Sequence, residues 1–305
     1  MGLLYALQNI RTPLLDQLVA VLTKLGEENV FLVLGLFLLW CVDKKWGFRF
    51  LLAGLAGNTL NQLLKAIFLI PRPWVIDPEF QIVEAAREAA TGYSFPSGHT
   101  QTAATVYGMF AAWLNRTWTT VVCVALVLLV GFSRMYLGVH TPYDVGVSLV
   151  TGYLTVVCAV RLFRNAEGDE KKEARIYVGA IVFALVLLAY VLFAPKRAAN
   201  IAEFDAHGVK NAWTLVGTTA GVFVAWLIDR KWVHYDTKAV WWAQALKLLL
   251  GVALVLGIRL GLKPLFAVIF GGHVAADGLR YFIMCAVAGG LWPMTFKKFA
   301  GLGKK

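Results

Sequence analysis

Three short stretches of this chain carry side chains that together could bind a phosphate group and attack it. The first is Lys65 followed, after six residues, by Arg72-Pro73; the second is Pro96-Ser97-Gly98-His99. The third runs Ser133-Arg134, five residues, His140, three residues, Asp144. Lys65, Arg72 and Arg134 are cations for phosphoryl oxygens. An imidazole with a carboxylate on one ring nitrogen keeps the other nitrogen free to attack, the logic of a hydrolase triad.

Each stretch sits at the end of an apolar segment. Arg72 lies between Pro71 and Pro73, and a residue before proline is pushed out of the helical region. The helix carrying Lys65 therefore ends near residue 70, and Arg72 leaves it in an extended turn. Lys65 is two turns back, and its long stem can bring the ammonium to the same mouth; a lysine that merely snorkels to the interface is the alternative. Ser97-Gly98-His99 opens a long apolar helix, whose free N–H groups and positive dipole end bind phosphate readily. Gly98 lets the backbone approach closely. Thr141 suits an N-cap and Pro142 the first helical position, which puts Asp144 in the first turn, close to His140. An Asp144 that only caps its helix is the other reading.

The positioning elements are membrane spans. The chain has 305 residues and is 59% hydrophobic, with a mean hydropathy of +0.67. Its 15% of charged residues is well below the roughly 25% of soluble proteins. The expected fold is all-α, a polytopic transmembrane bundle of about nine spans. They are placed near 28–43, 46–70, 98–115, 118–138, 142–164, 173–193, 210–229, 239–260 and 273–295. Residues 1–27 read as amphipathic interfacial helices broken at Thr12-Pro13, with a membrane span over 12–26 as the alternative.

Loops alternate in charge. Lys44, Lys45, Arg116, Arg164, Lys171, Lys172, Arg230, Lys231, Lys297 and Lys298 fall in one set, and the three motifs fall in the other. By the positive-inside rule the motif loops face the extracytoplasmic side of a cytoplasmic membrane. The same rule accounts for the net charge of +11, so no nucleic-acid partner is expected. Cys41, Cys123, Cys158 and Cys285 lie in apolar segments without metal-ligand spacing, and no disulfide framework is expected.

The full pattern, Lys-x6-Arg-Pro, Pro-Ser-Gly-His and Ser-Arg-x5-His-x3-Asp, resembles the type 2 phosphatidic acid phosphatase (PAP2) superfamily of membrane lipid phosphatases. The resemblance covers a catalytic helical core at 28–165. It implies His140 as a nucleophile forming a phosphohistidine, Asp144 as its orienter, and His99 as general acid and then base. It also implies Lys65, Arg72, Ser97, Gly98 and Arg134 as phosphate ligands. The implied substrate is a lipid phosphate monoester or diphosphate. No cofactor and no metal are expected, because fixed cations supply the positive charge and no Asp/Glu cluster stands nearby. A phosphotransferase using the same phosphohistidine, haloperoxidase chemistry in the same pocket, and a non-catalytic lipid-binding or transport protein are the rival readings.

Residues 173–305 add further transmembrane helices without an assignable motif. His273, Asp277 and Arg280 fall on one helix face. They read as a structural ion pair, with the wall of a lipid groove or a homodimer contact as the alternatives. Cys41 to Trp46 is echoed by Leu227 to Trp232, without a longer repeat.

Overall fold

The computed structural model describes residues 1–194 and 202–302. Among them every regular element is helical, as the apolar patterning predicts. The helices are α1 (Gly2–Asn9), α2 (Pro13–Thr23), α3 (Glu28–Phe37), α4 (Lys44–Phe68), α5 (Pro73–Ile76), α6 (Gly98–Leu114) and α7 (Thr117–Tyr136). They continue with α8 (Pro142–Asn165), α9 (Glu170–Phe193), α10 (Ala202–Ile228), α11 (Trp241–Ile269), α12 (Ala275–Ala286) and α13 (Phe296–Gly301).

Among the described residues six helices are long and apolar enough to cross a membrane, and seven if the pair Pro13–Gly26 and Glu28–Val42, bent by 48°, forms one span. The nine expected spans are not reached by this measure. The six coincide with the expected spans from residue 117 onward. The shortfall lies at the front of the chain. Helix α6 has 17 residues, fewer than the roughly 20 that span a bilayer. Helix α4 carries Arg49, Asn58, Asn61 and Lys65 along its 25 residues.

Packing divides the chain into two compact units that alternate along it: 1–31 with 56–161 and 189–208, and 32–55 with 162–188 and 209–305. In the first unit the predicted punctuation is visible. Thr12 caps α2 through Leu15 N, with Pro13 in its first turn. Helix α4 ends at Phe68, Leu69 takes a left-handed φ of 52°, and Arg72 is extended at φ −69°, ψ 154° before Pro73 opens α5. Asn115, left-handed at φ 46°, closes α6, and α7 returns antiparallel beside it. The loop 71–97 rests on an apolar cluster of Leu4, Phe80, Ile82, Ala86, Ala90, Tyr136, Leu137 and Val139. Helix α1 and the residues after it are bound onto that cluster: Tyr5 Oη on α1 donates to Asp77, and Arg11, just beyond α1, donates to the carbonyls of Gln81 and Tyr136.

The second unit is tied by ion pairs, one of them, Arg49–Glu173, buried on both sides. Lys44 meets Asp229 at 2.9 Å, so the two echoed segments touch. Glu173 is shared by Arg49 and Arg230 at 3.5 and 2.8 Å. Asp277 pairs with Arg280 at 2.5 Å, the expected ion pair, while His273 stays exposed and accepts from Ala275 N.

Candidate active site

The α6–α7 hairpin starts and ends at the same side of the first unit, which carries residues 97–99 and Arg134 to one place. The turn from α7 into α8 adds His140 and Asp144, and the end of α4 adds Lys65 and Arg72. Ser97, at the α6 N-cap, donates its N–H to the Asp144 carbonyl at 3.2 Å. Ser148 Oγ, one turn after Asp144 on α8, lies 2.8 Å from the Ser97 carbonyl and 2.7 Å from the Asp144 carbonyl. The second and third motifs are thus joined through backbone.

His140 is 2% exposed and Asp144 1%. Arg72 Nη1 is 2.9 Å from His140 Nε2, and Asp144 Oδ2 is 3.4 Å from His140 Nδ1. A guanidinium only donates, so Nε2 is the lone-pair nitrogen and Nδ1 carries the proton toward the carboxylate. Burial, with Arg72 and Arg134 beyond it, pushes the His140 imidazole well below the usual histidine range. The ring is therefore neutral at pH 7. Asp144 both caps and orients: Oδ2 accepts from Thr141 N at 2.7 Å, and Thr141 Oγ1 accepts from Asp144 N at 3.3 Å. The two readings open in the sequence describe one carboxylate, held by a capping box.

Arg72 also donates to the carbonyls of Gly92, Val139 and Thr91 at 3.0, 3.0 and 2.7 Å. Burial lowers it only to about 10, so it stays charged. Lys65, 8% exposed, donates to the carbonyls of Tyr93 and Ser94 at 2.5 and 3.3 Å. Arg134, 1% exposed, donates from Nη1 to Thr23 Oγ1 at 2.8 Å, while Nε and Nη2 have no partner among the described residues. His99 Nε2 is likewise buried without a partner. Ser97 Oγ accepts from Thr100 N and Oγ1 at 3.4 and 2.9 Å. A Cβ added at Gly98 would stand 3.6 Å from Asn61 Oδ1. All eight predicted residues thus belong to one unit. Among the described residues no three His, Cys, Asp or Glu side chains gather as a metal site.

Sequence reasoning missed four supports. Ser94, fully buried, donates from Oγ to Asp144 Oδ2 at 2.6 Å and lies 3.5 Å from His140 Nδ1. Asn61 Nδ2 donates to Gln101 Oε1 at 3.0 Å and to the Pro96 carbonyl at 3.4 Å, while Gln101 Nε2 donates to the Gly57 carbonyl at 2.8 Å. Amides this deep in apolar helices are costly unless they work structurally or chemically, and that signal could have been read. Thr23 gave none.

The PAP2 superfamily model matches residues 46–167, and the model described as PAP2 superfamily phosphatase, transmembrane extension, matches 213–305. The chain is 30% identical over 151 residues to phosphatidylglycerophosphatase B of Bacillus subtilis, covering 45% of this chain and 69% of that protein. The chain belongs to the PAP2 superfamily. It is also 35% identical over 105 residues to undecaprenyl-diphosphatase BcrC of Bacillus subtilis, covering 34% of this chain and 50% of that one. With glucose-6-phosphatase catalytic subunit 1 of Mus musculus the identity is 28% over 248 residues, covering 72% and 63%. No solved structure matches. These relatives are phosphatases, the enzyme class expected from the motifs. Every predicted site residue of this PAP2 member lies inside the 46–167 match. Thr23 lies outside it.

Proposed function

We propose that this PAP2 member is an integral-membrane phosphatase that removes the phosphate of a lipid phosphate monoester or diphosphate through a phosphohistidine on His140. The observation that carries the reading is the polarisation of His140. Asp144 faces Nδ1, and the lone pair on Nε2 points at Arg72, a phosphate-binding cation that a phosphoryl oxygen can take over. In the first step Nε2 attacks phosphorus, the P–O bond to the lipid breaks, and His99 gives the departing oxygen its proton. In the second step His99 takes a proton from water, the water oxygen bonds to phosphorus, and the P–N bond breaks to release phosphate. Lys65, Arg72, Arg134, Ser97 and the Gly98 N–H hold the phosphoryl oxygens, and such charge stabilisation carries most of phosphoryl-transfer catalysis. These fixed cations support a metal-independent reaction. Two of the relatives are named for phosphatidylglycerophosphate and undecaprenyl diphosphate, which supports a lipid substrate. Loop charge supports a site on the extracytoplasmic side.

The test is phosphate release by the purified chain in detergent. The panel is phosphatidate, phosphatidylglycerophosphate, a polyprenyl diphosphate and glucose 6-phosphate, each with and without EDTA. Release from a lipid that EDTA spares, with His140→Ala inactive and trapping no acid-labile phosphate, is expected. Activity of His140→Ala within tenfold of wild type would overturn the nucleophile, and magnesium-restored loss in EDTA would overturn metal independence.

A further inference from the structure

The N-terminal helices lie outside the matched family segments, yet they reach the phosphate site. Thr23, the last residue of α2 and 7% exposed, accepts the 2.8 Å bond from Arg134 Nη1. Three residues on, Gly26 packs so tightly that an added Cβ would stand 2.8 Å from the His99 carbonyl oxygen. Tyr107 Oη donates to the Leu25 carbonyl at 3.0 Å and fixes the segment to α6.

A guanidinium has two forked edges, and each matches two oxygens of a phosphate. Engaging Nη1 leaves the whole side-on fork of Nε and Nη2 free. Those are the two Arg134 nitrogens that are buried without a partner. Arg134 stands within electrostatic reach of His99, His140, Lys65 and Arg72. A buried guanidinium among other cations, with two donors unused, is a site for an anion.

We propose that Thr23 is a positioning residue for Arg134, holding the guanidinium so that its Nε/Nη2 fork meets the phosphoryl group. The proposal rests on the phosphatase reading above, because it needs a phosphoryl group at Arg134. It makes the segment ahead of the family core part of the phosphate site.

The experiment measures inhibition of the purified full chain by inorganic phosphate and by vanadate. The variants are Thr23→Val, Thr23→Ser, Arg134→Lys and the Thr23→Val/Arg134→Lys pair, with thermal melting alongside. Thr23→Val keeps the shape and removes the acceptor, and it should weaken both inhibitors about tenfold, the low end for a hydrogen bond to a charged group. Thr23→Ser should stay within about twofold, because the acceptor remains. Lysine has no fork, so in the Arg134→Lys background Thr23→Val should cost less than about twofold more. Thr23→Cys replaces Thr23→Val if the valine variant does not fold, with the same expected result. Unchanged inhibition in Thr23→Val, or an equal loss in both backgrounds, would overturn the proposal. A wild-type protein that neither phosphate nor vanadate inhibits would instead overturn the phosphate site itself.

Discussion

Ser94→Ala is the substitution whose outcome bears most directly on how His140 is oriented. Asp144 Oδ2 accepts from Ser94 Oγ at 2.6 Å, from Thr141 N at 2.7 Å and from His140 Nδ1 at 3.4 Å. The two short bonds hold the carboxylate, and the long one reaches the imidazole. Deleting the serine hydroxyl has two opposed effects. It concentrates negative charge on the oxygen facing His140, which favours the positive imidazole that the proposed attack of Nε2 on phosphorus would form. It also leaves the carboxylate pinned by Thr141 alone and free to turn about its last side-chain bond. Orientation should win, because a bond already at 3.4 Å has no slack before it ceases to be one. A hydrogen bond to a charged group contributes about 1.5–3 kcal/mol. If all of it acts in the transition state, kcat/KM falls roughly 10- to 150-fold. KM should change little, since the Ser94 hydroxyl meets Asp144, while Lys65 meets Ser94 only at its carbonyl, which the substitution keeps. Asp144→Asn should cost more, about 10⁴-fold, as the loss of a triad carboxylate does. The assay is steady-state phosphate release at saturating and limiting lipid, with melting to confirm folding. A folded Ser94→Ala enzyme with kcat/KM within twofold of wild type would refute the assigned role.

Three further outcomes are expected. Gly26→Ala should lose about 1–3 kcal/mol of stability, the usual cost of overpacking, and melt lower, because its Cβ would press on the His99 carbonyl and on Val130 Cγ1 at 2.8 and 2.7 Å; an unchanged melting temperature would refute that close approach. His140 is held neutral by burial, so its folded pKa lies below its unfolded value and the unfolded chain binds the proton first. Stability should therefore be full above about pH 6.5 and fall below it by up to about 1.4 kcal/mol per pH unit; His140→Gln should lack that component, and identical melting profiles from pH 7 to 5 would refute the shift. In a background without the four native cysteines, Gln81→Cys should react with an impermeant thiol reagent in intact cells and Arg116→Cys only after lysis, as the proposed extracytoplasmic site requires; the reverse pattern would place the chemistry in the cytoplasm.

What was legible in the sequence is what local spacing encodes. Pro71 and Pro73 announce the break after α4, and Thr141-Pro142 announces the cap that sets Asp144 beside His140. Ser94 and Thr23 were not legible. Their roles depend on contacts across 50 and 111 residues, and such contacts leave no periodic trace. Ser94 is placed by the path of the loop 71–97 over Leu4, Phe80 and Leu137, and by its N–H bond to the Ile70 carbonyl at 2.8 Å. The span count blurred for a related reason. The proposed phosphate site needs polar groups on the helices that build it, and each such group is expensive in lipid unless neighbouring protein satisfies it. Helices α4 and α6 carry Asn61, Lys65, His99 and Gln101, and this lowers the apolarity by which a span is recognised. The helices that stand out most clearly as spans, such as α9 and α11, carry none of the eight site residues. In α4 and α6 the residues that make the candidate site readable are therefore the ones that obscure the membrane helix, whereas α7 and α8, which carry Arg134 and Asp144 near their ends, still read as spans.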